Sequence, residues 1–475
     1  MISVSVVNRL IKCSFVCVVV ALSAGYGPGL DAATQTNSEP QREQLLNGLK
    51  VLIWPRTGDQ EVLIKLRIHS GASFDLAGKS GEMALLGDVL FPDPATREYF
   101  TDQMQGRLNV TTDYDSITVT MQGKASEFER IIEILRNGLV NTQLSPEIVT
   151  SVREARIKIV KETSVSPAML ADRAIAARLF GDFPYGLPSA GSVESIGRVD
   201  RADLMLARDR FLNPNNSTLA IIGGVQPNRT MRTLRQLLGI WRKSEKVVPA
   251  TFRQPSSPDA RTLIINAPGD ESVEVRLATR GLARADRDLA GAMVLANVAR
   301  QRWGNQVPDL GRNPMFVRHE ARLLPGIFVM GATVKNGQVA RTFAAAREVL
   351  KSLASVPVTP SELEQARNEA LVITSKAMSN PDGLADAWLD LDTYKLDSIS
   401  GLMLALQKLS PADVQRTAKL LFERAPIASV TVGNSEQVKV ELERETEVEL
   451  LGAVKSEAEP AKPAATAKPS PTRPD

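Results

Sequence analysis

The sequence contains an internal repeat with a very long period, and this constrains the fold more than any other feature. The segment DRADLMLARDRFL (200–212) matches SPADVQRTAKLLF (410–422), and LAIIGG (219–224) matches SVTVGN (429–434). Asp203 and Asp413 are 210 residues apart, and so are Gly223 and Gly433. A repeat of this length indicates a duplicated domain rather than a solenoid.

Each copy contains both strand and helix patterns. Alternating apolar residues predict strands at VLIKLRI (62–68) and DSITVTMQG (115–123), and the second strand leads into SEFERIIEILRNGL, which has helical spacing. The other copy repeats this unit with IFVMGATV (327–334) and VARTFAAAREVLKSL (339–353). We therefore expect an α+β fold of two homologous domains, each an antiparallel sheet packed with helices.

The two ends of the chain differ from its body. Residues 1–33 combine a basic start, a short apolar run and small residues, which is typical of a cleaved signal peptide; an uncleaved signal anchor is the alternative. Residues 451–475 are rich in Pro, Ala and Lys and are predicted to be a disordered tail. Between them we place the domains at 34–245 and 262–450, joined by a polar linker at 246–261.

Composition limits the partners and the compartment. The net charge is only +3, which gives no reason to expect nucleic acid as a partner. No later segment is long and apolar enough to suggest a membrane span. The two cysteines, Cys13 and Cys17, both lie in the predicted signal peptide, so the mature chain would have neither disulfides nor thiolate ligands. The prediction is an exported protein, either periplasmic or secreted.

Several segments occur in an order that resembles the insulinase/pitrilysin family of zinc metallopeptidases, the inverzincins. They are LNGLKVLIWPR (46–56), GASFDLAGKSG (71–81), GRLNVTT (106–112), FGDFPYG (180–186) and the ADL…LAIIGG ending. The resemblance covers roughly residues 43 to 435. It implies a clamshell-like architecture built from homologous α+β domains, in agreement with the repeat.

The same resemblance indicates that the zinc site is degenerate. In the family, a helix just after the Gly-rich segment carries H-x-x-E-H, with two zinc-binding histidines and a Glu that activates water. Those positions fall here on Ala84, Gly87 and Asp88, and the third ligand position falls on Ile159. Glu154 and Glu162 flank Ile159, so a slip of the alignment could restore a carboxylate but not the histidines. We therefore expect no catalytic residues, no metal and no cofactor.

Histidine is scarce throughout the chain. The sequence has only His69 and His319, which fall in different copies and are expected to be solvated or hydrogen-bonded structural residues. Some complexes of the family use an Arg and a Tyr from a second domain to hold the substrate carbonyl. The corresponding region, about 300–326, contains arginines but no tyrosine, and Phe316 is its nearest aromatic substitute.

Peptide binding could survive the loss of zinc. Family members add an extended peptide to an exposed sheet edge, which the resemblance places at Leu108, Asn109, Val110, Thr111 and Thr112. An ordinary hairpin strand is an equally good interpretation of these residues. Two other enzyme motifs are excluded: AGKS (77–80) lacks the first glycine of a phosphate-binding loop, and no G-x-S-x-G occurs.

Two functions follow from these observations. The first is a non-catalytic family member that binds peptides, or that pairs with a zinc-bearing H-x-x-E-H homologue or with itself as a dimer. The second is an active zinc-dependent metalloendopeptidase with an atypical site made from Asp88, Glu154 or Glu162, and a histidine. A purely structural scaffold cannot be separated from the first by sequence.

Overall fold

The computed structural model describes residues 39–142, 144–163, 166–245, 252, 255–267, 271–310 and 314–451. The predicted signal peptide, half of the predicted linker and the predicted tail beyond Leu451 lie outside these residues. The described residues form two six-stranded sheets, one from each half of the chain, with helices packed against both.

The first half contains six strands and eight helices among its described residues. The strands are β1 (Gln41–Gln44), β2 (Lys50–Pro55), β3 (Glu61–Ile68), β4 (Arg107–Thr112), β5 (Ile117–Lys124) and β6 (Ser217–Gly223). The helices are α1 (Glu82–Asp88), α2 (Pro94–Asp102), α3 (Phe128–Val140), α4 (Pro146–Thr163), α5 (Pro167–Phe180), α6 (Val193–Gly197), α7 (Arg201–Phe211) and α8 (Pro227–Leu238).

The second half contains six strands and seven helices among its described residues. The strands are β7 (Thr262–Asn266), β8 (Ser272–Arg280), β9 (Met315–Glu320), β10 (Ile327–Lys335), β11 (Ala428–Gly433) and β12 (Val448–Leu451). The helices are α9 (Leu289–Gln306), α10 (Val339–Ser355), α11 (Pro360–Ala377), α12 (Pro381–Tyr394), α13 (Ser400–Lys408), α14 (Pro411–Phe422) and α15 (Ser435–Leu442).

The strand orders make the duplication visible. The first sheet has the order β1-β2-β6-β3-β5-β4 and the second β12-β7-β11-β8-β10-β9, so that five of the six places are filled by corresponding strands. The remaining place, at one edge of each sheet, is taken by β1 in the first sheet and by β12 in the second. These are the first and the last strands among the described residues. The α+β class and the duplicated architecture are confirmed.

The sheets differ from the expected antiparallel form in one respect. Strand β2 is parallel to β6, and β7 is parallel to both β11 and β12, whereas the remaining pairs are antiparallel. Parallel neighbours require a long connection, which the helices between β2 and β6 supply. The sheets are therefore mixed. Strands β6 and β11 follow long helical segments, and the periodicity of a strand does not predict its direction relative to a strand far away in the sequence.

The repeated sequences mark equivalent structural positions. Asp203 and Asp413 are the third residues of α7 and α14, and each completes a capping box with the residue before the helix, Asp200 or Ser410. The reciprocal side-chain bonds satisfy backbone N–H groups that the first turn of a helix leaves open. Gly223 and Gly433 end the corresponding strands β6 and β11.

The two halves exchange a helix. One face of each sheet covers the main core of its own half, but the other face is covered by a helix from the opposite half. Helix α12 packs Leu384, Trp388 and Leu389 on Leu52 and Ile222 of the first sheet. Helix α5, with Ala171, Ile175 and Leu179, covers the second sheet in the corresponding way. Neither half buries both faces of its sheet without the other.

Candidate functional site

The Gly-rich segment before α1 supports the start of that helix. The Asp75 carboxylate accepts the backbone N–H groups of Gly81 (2.6 Å) and Met83 (2.8 Å), and the Glu82 carboxylate accepts that of Leu76 (2.8 Å). Gly81 has a φ of 93°, in the left-handed region that favours glycine. Burial raises the pKa of Asp75 and of Glu82 to about 7. The motif therefore positions α1 with a buried acidic cap.

Helix α1 contains the positions that would carry H-x-x-E-H. Ala84 is 1% exposed and has no donor atom for a metal. Gly87 faces the edge of the first sheet: a Cβ atom there would lie 3.0 Å from Thr112 Oγ1 and 3.2 Å from Val110 Cγ1. A larger residue at position 87 would therefore require the side chains of Thr112 and Val110 to shift slightly.

Asp88 is paired with Arg156 across the gap between α1 and α4. Arg156 Nε donates to Asp88 Oδ2 and Arg156 Nη2 to Asp88 Oδ1, each at 2.7 Å. Burial raises the pKa of the Asp88 carboxyl above its ordinary value, and the charge of Arg156 opposes that shift. A two-point guanidinium–carboxylate pair is the strongest kind of ionic hydrogen bond in proteins. Asp88 is engaged as an ionic partner and not as a free ligand.

The third ligand position also lacks a donor. Ile159 lies on α4 and is 51% exposed. At 3.6 residues per turn it lies about 60° around the helix from Arg156, nearer to the α1-facing side than Glu154 or Glu162. Glu162 is exposed and approaches Lys158 at 4.0 Å. The alignment that assigns Ile159 is therefore the one that fits the helix geometry best.

The two histidines are bound elsewhere. The imidazole of His69 hydrogen-bonds with Thr218 Oγ1 (2.9 Å) and Thr393 Oγ1 (3.0 Å), and His319 Nε2 accepts the backbone N–H of Leu282 (2.8 Å). Burial lowers the pKa of His69 to about 3 and that of His319 to about 4. Within the described residues no group of three or more His, Cys, Asp or Glu side chains could hold a metal. The residues at the family's zinc positions do not fit a zinc ion.

Strand β4 lies at the open edge of the first sheet, as its predicted peptide-binding role requires. Its hairpin with β5 is closed by a bond from Asp113 N–H to the Ser116 carbonyl. Because backbone groups alternate in direction along an antiparallel strand, Asn109 and Thr111 then bond with β5. The N–H groups of Leu108, Val110 and Thr112 point outward, and no described residue hydrogen-bonds with them.

A contact between the two halves, which was not predicted from the sequence, lies beside this hairpin. The Tyr185 hydroxyl donates to Asp115 Oδ1 (3.0 Å) and accepts the backbone N–H of Leu324 (3.1 Å). Asp115 Oδ2 accepts the N–H of Leu323 (3.0 Å), and the guanidinium of Arg322 lies 4.4 Å from the ring centre of Tyr114. The tyrosine of the FPYG segment therefore holds a loop from the second half.

The region expected to correspond to the carbonyl-holding Arg and Tyr has another arrangement. Phe316 lies between two guanidinium groups, with Arg318 at 4.2 Å and Arg276 at 5.0 Å from its ring centre. Arg276 also bonds with Asp172 of α5 at 2.6 Å. Arg276 thus joins the two halves, whereas Arg318 is half-exposed and lies 3.4 Å from Glu320 and 3.9 Å from Asp172.

An ionic contact between α12 and strand β3 was also not predicted from the sequence. Asp386 on α12 accepts Lys65 Nζ at 2.7 Å and Arg67 Nη2 at 3.0 Å, and Asp390 accepts Arg67 Nη1 at 2.6 Å. The two cations are buried in strand β3, where they are 4% and 7% exposed. The spacing of the aspartates, four residues apart on one helix face, was the available signal.

Comparisons with known proteins find relatives described as M16 peptidases and as zinc proteases. Residues 198–370 match the family model described as the peptidase M16 inactive domain. An uncharacterized zinc protease of Streptomyces coelicolor is 20% identical over 411 residues, which cover 82% of this chain and 89% of that protein. These matches relate the chain to the insulinase/pitrilysin (M16) family.

Other relatives match over a shorter region. An uncharacterized zinc protease of Mycobacterium leprae is 22% identical over 203 residues, which are 42% of this chain and 46% of that protein. The chain thus spans about half the length of the curated relatives it matches first.

Solved M16 structures share the fold. The peptidase M16 inactive domain from Pseudomonas fluorescens superposes with a TM-score of 0.74 at 17% identity, over 83% of this chain and 98% of that one. The first half of the periplasmic protease PqqL from Escherichia coli gives 0.69 at 14% identity, over 85% and 93%. The match to full-length PqqL covers 91% of this chain but 53% of the protease. Within the described residues, no helix combines the length and apolar composition that crossing a membrane requires.

Proposed function

We propose that this chain is a non-catalytic M16 protein that binds extended peptides and serves as a partner subunit in an exported zinc metallopeptidase complex. The observation that carries the proposal is the pairing of Asp88 with Arg156. An ionic contact joins α1 to α4 at the place where the family holds zinc. Ala84 and Gly87 supply neither a ligand nor a catalytic carboxylate there.

Strand β4 supports the peptide-binding part of the proposal. Its outward N–H groups at positions 108, 110 and 112 can pair with the carbonyl groups of an added strand, and such pairing needs no metal. Side chains on the exposed face, Asn109 and Thr111, are polar, so an added peptide would not have to displace apolar contacts. Backbone pairing also tolerates many peptide sequences.

The number of domains supports a partner. One chain supplies two homologous α+β halves, whereas full-length PqqL is about twice as long as the part that this chain matches. A zinc-bearing H-x-x-E-H homologue would complete an active complex, and a second copy of this chain would complete an inactive one. The signal-peptide pattern of residues 1–33, together with a periplasmic structural relative, supports an exported location.

The catalytic part of the proposal is tested with purified mature chain. Metal content is measured by elemental analysis after exposure to zinc and dialysis, and peptide cleavage is measured with and without a chelator. We expect less than stoichiometric zinc and no cleavage. Chelator-sensitive cleavage that disappears in Asp88→Ala would instead establish the atypical zinc endopeptidase.

The peptide-binding part is tested at Val110. A proline at this edge position removes the outward N–H without removing a bond to β5. Binding of a fluorescein-labelled peptide of alternating Val and Thr with lysine ends is followed by anisotropy. Val110→Pro should weaken binding at least about tenfold. The matched variant Val110→Ala, which keeps the N–H, should bind nearly as well as the parent chain; equal binding by both variants would refute the edge-strand site.

A further inference from the structure

A cavity of about 480 Å³ lies in the second half of the chain, and none of its lining residues belongs to α1, α4 or strand β4. Its walls come from the loop before α9, the end of α11, one side of α12 and the segment 396–405. Cavities that hold small ligands in proteins have volumes of about 300–1,000 Å³. The size is therefore that of a ligand site rather than a packing defect.

Most of the wall is apolar. Leu289, Met378, Ala387, Leu391, Leu396 and Leu402 are among the side chains that line it. Alanine at positions 377, 387 and 405 leaves room that larger residues would fill. The cavity is partly open to solvent, so a ligand can enter it directly.

The charged groups of the cavity divide into paired and unpaired sets. Asp386 and Asp390 line it, but their carboxylates are held by Lys65 and Arg67, and Asp390 also accepts Arg284 Nη2 at 3.2 Å. These carboxylates form a neutralised part of the wall. They also connect the cavity to the contact between the two halves.

Asp286 and Asp397 also line the cavity, but neither makes an ion pair with any described residue. Asp286 accepts only the backbone N–H of Asp288, at 2.9 Å, and Asp397 is exposed. Arg287 also lines the cavity; its side chain is 84% exposed, and among the described residues its guanidinium approaches only Asp288, at 4.0 Å. Two carboxylates without an ion pair and one loosely held guanidinium leave this part of the lining with a net negative charge.

We propose that this cavity binds an aliphatic group attached to a protonated amine. The apolar wall receives the aliphatic part, and Asp286 and Asp397 receive the ammonium group. Two carboxylates that no ion pair neutralises would repel a carboxylate ligand and attract an ammonium group. This chemistry occurs in the amino-terminal end of an apolar peptide and in a free alkylamine.

Isothermal titration calorimetry on the mature chain tests the chemistry. The probes are Leu-Leu-amide, its N-acetylated form, N-acetyl-Leu-Leu with a free carboxylate, and hexylamine. Leu-Leu-amide should bind once per chain, the acetylated amide at least about tenfold more weakly, and the acid not detectably. Hexylamine binding as tightly as Leu-Leu-amide identifies free amines as the source, and weaker binding identifies a peptide terminus. Equal binding of the free and acetylated amides would overturn the proposal, and so would no binding of either.

Variants locate the site. Ala387→Leu fills the cavity from α12 and should abolish binding. Ala405→Leu fills it from an exposed position and serves as the second variant if Ala387→Leu does not fold. Ala202→Leu, an equal change on the exposed start of α7, should leave binding unchanged. Asp397→Asn should weaken Leu-Leu-amide toward the affinity of its acetylated form, whereas Glu436→Gln on α15 should not. Unchanged binding in both cavity-filling variants would overturn the assignment.

Discussion

Arg156 holds Asp88 through two hydrogen bonds of 2.7 Å across the gap between α1 and α4. The corresponding helices of the second half, α9 and α11, are also joined by an ion pair, in which Arg300 Nη2 donates to Glu369 at 2.6 Å. The charges are reversed: the acid lies on α1 in one half and on α11 in the other. In each half, an ion pair thus joins the two corresponding helices. In the first half this ion pair includes Asp88, one of the positions that align with the family's zinc ligands.

Removal of Arg156 tests whether this contact stabilises the fold. Arg156→Leu should lower the free energy of unfolding by about 2–3 kcal/mol, because the partly buried Asp88 carboxylate loses its partner. The double variant Arg156→Leu, Asp88→Leu should recover part of that loss. Lys158→Leu, which removes a weak surface pair on the same helix, should change stability by less than about 0.5 kcal/mol. Urea unfolding measures all four chains; an equal loss for positions 156 and 158 would contradict the role of the pair.

Restoring donors tests the assignment of the degenerate positions. The triple variant Ala84→His, Asp88→His, Ile159→Glu places two imidazoles on adjacent turns of α1 and a carboxylate on α4. Zinc should then raise the melting temperature by several degrees, as binding to the folded state requires. The control with Ile159→Gln keeps the size but loses the charge and should respond much less. A zinc response that does not depend on position 159 would place the third ligand elsewhere.

The ionic contacts of α12 should be worth more than surface pairs. Asp386→Ala leaves the buried Lys65 and Arg67 with fewer partners, and we expect it to cost about 3 kcal/mol. Asp309→Ala removes an exposed pair with Arg341 and should cost less than about 1 kcal/mol. Calorimetric unfolding compares the two. Equal melting temperatures would mean that water replaces the carboxylate of Asp386 without cost.

Acid should weaken the contact at His69. Burial holds its pKa in the folded chain at about 3, below the ordinary value of about 6.5. The unfolded chain then binds a proton that the folded chain does not, so stability is full above pH 6.5 and falls by about 1.4 kcal/mol per pH unit toward pH 3. His69→Gln should remove this slope. The stability difference between parent and variant, measured by urea unfolding at pH 7.5 and pH 5, should shrink at the lower pH; a constant difference would contradict it.

The two buried carboxylates of the α1 cap act in the opposite direction. Asp75 and Glu82 have pKa values raised to about 7, so their folded forms hold protons that the unfolded chain releases, and stability falls as pH rises from about 4 to 7. The pH dependence of the parent chain is a sum of both effects. Comparison with His69→Gln at each pH isolates the histidine.

Sequence periodicity was sufficient for the parts of the fold that depend on local burial. Strands β3, β5 and β10 and helices α3 and α10 lie where alternation and helical spacing predicted them. Strand β4 occupies a sheet edge, as the resemblance implied. Asp203 and Asp413 mark equivalent helix starts because capping depends on residues only three positions apart.

The remaining features depend on contacts that are distant in the sequence. Arg156 reaches Asp88 across 68 residues, and nothing in the spacing of either helix shows that the two face each other. Asp386 and Asp390 have the pattern of a solvated helix face, yet they bind cations in a strand more than 300 residues earlier. Mixed strand directions were missed for the same reason. Residue patterns describe which side of an element is buried but not against what.

The exchange of α5 and α12 has a consequence for synthesis and for proteolysis. While the chain emerges from the ribosome, Leu52 and Ile222 of the first sheet have no cover until α12 has been made. This apolar face of the first sheet therefore stays exposed until the second half has been synthesised. A cut in the predicted linker would not release two independent domains, because α5 would still pack on the second sheet and α12 on the first.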